Sequence, residues 1–222
     1  MNRCWKKVEN MNVSKENMLL YVVTDRTWLN GNKLHEQVEE ILKSGATFIQ
    51  LREKNLDFDS FVAEGKEIRK ITEKYKIPFV INDNIQVALA VGADGVHLGQ
   101  KDLEAKKCRE LIGEDKILGV SAQTKEQALL AEKNGADYIG VGAVFETSTK
   151  TDANPVSFET LKEICNCVSI PVIAIGGIKE DNILKLKGSG IDGVAVISAV
   201  FAARDKEKAV KTLLSLAKEA VL

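Results

Sequence analysis

At 222 residues the chain can bury one full core, and its length gives no reason for a second. Its apolar content of 45% and charged content of 28% are ordinary for a globular chain, and a net charge of −1 argues against a general binder of nucleic acid or anionic membrane. Any anion must therefore be met by locally placed Arg and Lys.

Residues Met1–Met18 read as a polar extension, with the folded unit expected over 19–222. Arg3, Lys6 and Lys7 could open a secretion signal, but no apolar stretch of about 7–15 residues follows them. No segment approaches the roughly 20 apolar residues of a membrane span. A cytoplasmic protein is expected.

From Leu19 onward, short apolar runs alternate with amphipathic segments. The first strand is predicted over Leu19–Thr24 and its helix over Lys33–Lys43. A second strand at Thr47–Arg52 precedes a helix from Asp57 to Tyr75, whose apolar residues Phe58, Phe61, Val62, Ile68, Ile71 and Tyr75 fall near helical spacing. Strands follow at Phe79–Asn82, Gly95–Leu98, Ile117–Ser121, Tyr138–Val141, Val172–Ile175 and Val194–Ile197. The helices between them end near Val91 and Ile112, start after a Thr124/Gln127 capping box, or span Phe158–Cys165 and Asn182–Lys187. A last helix begins after Asp205, a good N-cap.

One short pattern punctuates this series. Gly45-Ala46-Thr47, Gly92-Ala93-Asp94, Gly135-Ala136-Asp137 and Gly190-Ile191-Asp192 each end an amphipathic segment and start an apolar run. The glycine suits the left-handed residue that closes a helix, and the Val/Ile-rich runs suit strands buried on both faces. Eight such units predict a single-domain (β/α)8 TIM barrel. A doubly wound open sheet is the rival, but the first strand runs into Thr24-Asp25-Arg26-Thr27 rather than a Gly-rich fingerprint.

In such barrels the loops after the strands build the active site. Side chains alternate along a strand, so Gln50, Arg52 and Lys54 share one face while Leu51 and Glu53 take the other. Asp83 and Asp102, at neighbouring strand ends, could share one Mg²⁺ or could each simply cap the helix that follows. Gly176-Gly177 and Ile197-Ser198 follow the seventh and eighth strands, where these barrels usually hold a phosphate. The long loop Ala143–Val156 carries Thr147, Thr149 and Lys150, two hydroxyls and a cation. His35 and His97 form no Ser-His-Asp or Cys-His set, and His97, alone on a strand, reads as a satisfied barrel residue. Cys165-Asn166-Cys167 lacks zinc or redox spacing; with Cys4 and Cys108 it reads as inert thiols.

Seven segments taken together resemble the thiamine-phosphate synthase family: QLREK at Gln50–Lys54, IND at Ile81–Asp83, HLGQKD at His97–Asp102, GVSAQT at Gly119–Thr124, FETSTK at Phe145–Lys150, IGGI at Ile175–Ile178 and VISA at Val196–Ala199. The resemblance covers Tyr21 to about Ala199 and implies a transferase of thiamine biosynthesis. Such enzymes couple a hydroxymethylpyrimidine diphosphate to a carboxythiazole phosphate, giving thiamine phosphate, diphosphate and CO₂. By motif, Gln50, Leu51, Arg52, Glu53, Lys54, Asn82, Ser121 and Lys150 would bind the pyrimidine diphosphate, with Arg52, Lys54, Lys150 and Ser121 as the catalytic set. Asp83 and Asp102 would hold Mg²⁺; Thr147, Ser148, Thr149, Gly177, Ile197 and Ser198 would bind the thiazole phosphate.

Ala143 departs from the family in standing where a proline is common, and Ser148 and Gln123 occupy variable sites. The alternatives are a thiazole tautomerase-like relative, which needs neither the carboxylate pair nor the Gln50-Arg52-Lys54 face, and a non-catalytic phosphate-binding barrel. The expected partners are small phosphorylated molecules, not nucleic acid or membrane. Oligomeric state is not legible.

Overall fold

The computed structural model describes residues 13–100, 102–147 and 155–222. Strand parity organises it. Eight parallel strands among these residues close in sequence order: β1 Leu20–Val23, β2 Phe48–Leu51, β3 Phe79–Asn82, β4 Gly95–Leu98, β5 Ile117–Ala122, β6 Tyr138–Val141, β7 Val172–Ile175 and β8 Gly193–Val196, the last pairing back to β1. One parity (Tyr21, Val23, Phe48, Val80, Ile117, Tyr138, Ile173, Ala195) fills the barrel. The other (Leu20, Val22, Ile49, Leu51, Phe79, Ile81, Val96 and their equivalents) packs outward under the helices. Both faces of the strands are therefore largely dry, which is why they read as short apolar runs.

The helices are α1 Lys15–Met18, α2 Leu34–Lys43, α3 Phe58–Tyr75, α4 Ile85–Val91, α5 Ala105–Ile112, α6 Lys125–Lys133, α7 Phe158–Cys167, α8 Ser198–Phe201 and α9 Lys206–Ala220. Asp57 and Asp205 cap α3 and α9 as their sequence suggests, accepting from the N–H groups of Ser60 and Lys208. At α6, Thr124 accepts from Gln127 N–H, but the return bond differs from a capping box: Gln127 Oε1 takes the N–H of Gln123 at 2.7 Å. The helix expected at Asn182–Lys187 is a single 3₁₀ turn, Ile183–Leu186. Its two buried residues lie three apart, the period of a 3₁₀ turn, and Asn182 is occupied in donating to Gly177 O at 2.8 Å.

The Gly-Ala-Asp/Thr pattern enters every even-numbered strand, and its third residue performs one job four times. The N–H of Thr47, Asp94, Asp137 and Asp192 donates to the carbonyl of Leu20, Phe79, Leu118 and Val172, at the start of the preceding odd strand. The side-chain oxygen of the same four residues accepts the N–H of those same partners at 2.7–2.9 Å. A parallel strand's first N–H has no other partner at this end of the barrel, so the clamp removes a buried orphan.

Residues Val13–Met18, expected to lie outside the barrel, close its N-terminal end. Met18 is fully buried and Val13 nearly so, both against the barrel interior. The reason is close packing: a Cβ on Gly193 would lie 1.7 Å from Met18 O. Burying Met18 contributes about 1.5–3 kcal/mol, too much for a solvated tail to give up.

Candidate active site

At the C-terminal end of the barrel the interior turns polar. Gln50, 4% exposed, projects inward from β2 and donates Nε2–H to Tyr21 Oη at 2.7 Å. Tyr21 Oη lies 2.8 Å from Tyr138 Oη, which lies 2.9 Å from His97 Nδ1; His97 Nε2 lies 3.0 Å from Ser121 Oγ. Five strands thus share one chain of hydrogen bonds. Phe48 packs beneath it, stacked on Tyr21 at 4.4 Å and edge-on to Tyr138 at 5.8 Å. Burial drives both tyrosine hydroxyls far above their usual titration range, so both stay protonated. The satisfied-residue reading of His97 holds, but its partners include a candidate site residue. Tyr21 and Tyr138 were missed; their signal was a hydroxyl at inward parity in an otherwise apolar strand.

The loop after β2 brings the cations. Lys54 Nζ lies 2.5 Å from Asp83 Oδ2, and the N–H of Arg52 donates to Thr24 Oγ1 at 3.0 Å. Glu53 takes the opposite parity: its side chain is 5% exposed and paired with Arg26 at 2.6 Å, and Arg26 also pairs with Glu64. Burial lifts the Glu53 carboxyl above its usual range in spite of Arg26. Leu51 is fully buried under the helices, so only its backbone can reach the mouth. The Arg26–Glu53 pair holds the β1 loop against the β2 loop, a tie that sequence reading did not find.

Asp83 and Asp102 meet. Burial opposes the charge on both, but Lys54 and Asp102 donating to Asp83 hold its carboxyl below the usual range. Burial, then the neighbouring Asp83, pushes Asp102 above it. The charge on Asp83 thus opposes the charge on Asp102. Neither is a helix cap. Asn84 caps α4 by accepting from Val87 N–H, Glu104 stands at the start of α5, and Asp102 instead accepts from Gly99 N–H at 2.6 Å. With capping removed, the pair keeps the chemistry of a hard-cation site, two carboxylates offering oxygen donors only. Mg²⁺ fits that donor set.

Across the mouth, Thr147, Gly177, Ile197 and Ser198 line a small cavity of about 30 Å³ together with Gly176 and Ile178. Gly177 sits at φ 67°, and a Cβ there would approach Glu146 O to 2.3 Å, so loop against loop already demands the glycine. The Gly142–Ala143 peptide that leads into this loop is cis. Ser148, Thr149 and Lys150 lie outside the described residues. Asn82, at the end of β3, pairs in register with His97, and Gln100 Nε2 ties the β4 loop to Ser121 O at 2.6 Å. A larger cleft of about 400 Å³ lies at the other end of the barrel, lined by Arg69, Lys76, Asp94 and Lys116 among others. Arg69 there is committed to Asp94 and Glu73, so the chemistry belongs to the mouth.

The sequence profile described as thiamine monophosphate synthase matches residues 20–200. The chain is 55% identical over 194 residues to a thiamine-phosphate synthase of Clostridium tetani, covering 87% of this chain and 93% of that one. It is 50% identical over 200 residues to the thiamine-phosphate synthase of Clostridium acetobutylicum, covering 90% and 95%. A thiamine phosphate pyrophosphorylase from Pyrococcus furiosus superposes with a TM-score of 0.86 at 42% identity, covering 94% of this chain and 99% of that one.

Proposed function

The chain belongs to the thiamine monophosphate synthase family, and from that premise we propose that its mouth joins a pyrimidine diphosphate to a carboxythiazole phosphate. It is a transferase that makes thiamine phosphate. The observation that carries the two-substrate reading is the division of the mouth into a cationic half with paired carboxylates and a separate glycine-walled half beside Ser198.

The reaction breaks the bond between the pyrimidine methylene carbon and the diphosphate oxygen. The electron pair leaves with diphosphate, and the aminopyrimidine ring supports the methylene cation left behind. The thiazole nitrogen then attacks that carbon with its own lone pair; the carboxylate departs as CO₂, and the electron pair it leaves on the ring carbon takes up a proton from water. No enzymic nucleophile is required. Arg52, Lys54 and Lys150 meet the charge that grows on the leaving group. Asp83 and Asp102 would hold Mg²⁺, which when bound would draw charge from the same oxygens. Lys54, already on Asp83, keeps a cation beside the pair throughout. Gln50, Asn82 and Ser121 would orient the pyrimidine; Thr147, Ser148, Thr149, Gly177, Ile197 and Ser198 would hold the thiazole phosphate.

Steady-state kinetics in both substrates test the allocation. Ser198→Ala and Thr147→Val should each raise KM for the thiazole phosphate roughly three- to tenfold, the worth of one hydrogen bond, with the pyrimidine KM within about twofold. A shift confined to the pyrimidine KM would reverse it. Gly177 is the poorer probe, because any side chain there first displaces Glu146.

The thiols take no part. Cys108 and Cys165 are buried, and burial pushes the Cys108 thiol up to about 11. Changing Cys4, Cys108, Cys165 and Cys167 together to serine should keep kcat within about threefold while lowering Tm, since the buried sites lose packing. A collapse in turnover with the fold intact would overturn this. We place the enzyme in the reducing cytoplasm, where a buried thiol such as Cys108 stays reduced. No helix among the described residues is long and apolar enough to cross a membrane.

A further inference from the structure

The chain from Gln50 to Ser121 has a direction. With Gln50 Nε2 donating to Tyr21 Oη, every buried hydroxyl proton in the chain finds an acceptor only if Tyr21 donates to Tyr138 and Tyr138 to His97 Nδ1. That order needs the neutral imidazole protonated at Nε2, whose N–H then meets Ser121 Oγ and leaves the serine proton for another acceptor. We propose that Tyr21, Tyr138 and His97 are positioning residues that act as a one-way relay, holding the Ser121 hydroxyl as a donor to an acceptor atom on the pyrimidine. The inference rests on the allocation of Ser121 to the pyrimidine half.

The packing is built to keep the relay in place. A Cβ on Gly119 would lie 2.1 Å from Tyr138 Cζ and 2.3 Å from its Oη, so only glycine on β5 leaves room for that hydroxyl between β5 and β6. A Cβ on Gly140 would have His97 Cε1 at 3.2 Å, so a side chain there would crowd the imidazole. Phenylalanine would fill the same volume at Tyr21 and Tyr138, but it would take from Gln50 Nε2 and His97 Nδ1 the hydroxyls they bond. With the polarity reversed, Ser121 would donate into the barrel and offer the mouth only a lone pair.

Two readouts test the relay. The first is the ¹⁵N spectrum of His97 in the intact, substrate-free protein, in a His35→Gln background that leaves one histidine. The relay predicts a single tautomer with the proton on Nε2, and a mixture of both tautomers in Tyr138→Phe. A proton on Nδ1 would overturn the direction and with it the proposal. The second is a double-mutant cycle. Tyr138→Phe should lower kcat roughly tenfold with KM for the thiazole phosphate unchanged, and should cost less than about twofold more in a Ser121→Ala background. An equal loss in both backgrounds would mean that Tyr138 does not act through Ser121, and the relay would fall. Should the parent protein couple no substrates at all, the two-substrate reading fails instead, and the tautomer of His97 still decides the relay.

Discussion

Asp83→Asn and Asp102→Asn will each lower kcat/KM by about a hundredfold or more, and the double variant will lose little more than the worse single one. Residues that act as a unit behave this way; two helix caps would not, since each would cost about 1 kcal/mol and the costs would add. The caps are already accounted for by Asn84 on α4 and by the bond from Gly99 N–H to Asp102. In the substrate-free protein burial and the neighbouring Asp83 both oppose the charge on Asp102, so Asp102→Asn should leave Tm unchanged or raise it slightly. Asp83→Asn should cost more, because it strips Lys54 of its partner. Raising the magnesium concentration should restore part of the activity of either single variant, as asparagine keeps an oxygen ligand but loses the charge that draws the ion. Kinetics of the four proteins across a magnesium titration, with thermal melts of each, check this. Additive losses without magnesium dependence would falsify the shared site.

The largest effect on stability should come from the other end of the barrel. Arg109, on α5, is 8% exposed and donates to Gly113 O, Lys116 O, Gly135 O and Asp137 Oδ2, each at 2.7 Å. Asp137 is one of the four strand clamps, so the guanidinium ties the end of α5 and the loops into β5 and β6 to the clamp itself. Arg109→Met would leave three carbonyls and a mostly buried carboxylate with less than they have. Breaking one side of a buried pair costs about 3–5 kcal/mol, or a fall in Tm of roughly 6–20 °C for a chain of this size. Below the new transition kcat should stay within about twofold, because Arg109 lies far from the mouth along the barrel axis. A melt unchanged within about 2 °C would show the network to be dispensable.

Arg109 also marks the limit of what the sequence discloses. A strand buried on both faces announces itself locally, and four strands (Phe79–Asn82, Gly95–Leu98, Tyr138–Val141 and Val172–Ile175) were legible to the residue. The repeated Gly-Ala-Asp entry was legible as punctuation, but not as a clamp, because its partner lies 15–27 residues back. In the sequence Arg109 is one more charge on an amphipathic helix, and nothing in its neighbours shows that its partners sit at Gly135 and Asp137. The mouth was legible where parity and motif coincide, as at Gln50, Arg52 and Lys54. It was ambiguous at Asp83 and Asp102, where capping and metal binding leave the same trace; Asn84 and Gly99 removed the capping reading only in three dimensions. Tyr21, Tyr138 and His97 lie on three strands up to 117 residues apart, and no local pattern can join them. Val13–Met18, read as part of a polar extension, packs against the barrel for the same reason: its burial depends on Gly193, at the far end of the chain.

The central claim, that one mouth couples two phosphorylated substrates, is tested most directly by following diphosphate and thiamine phosphate together while each substrate is omitted in turn. With both substrates and magnesium present, the two products should appear in equal amounts, and neither should appear when either substrate is left out. Diphosphate released from the pyrimidine alone, or a thiazole altered with no diphosphate formed, would contradict the account.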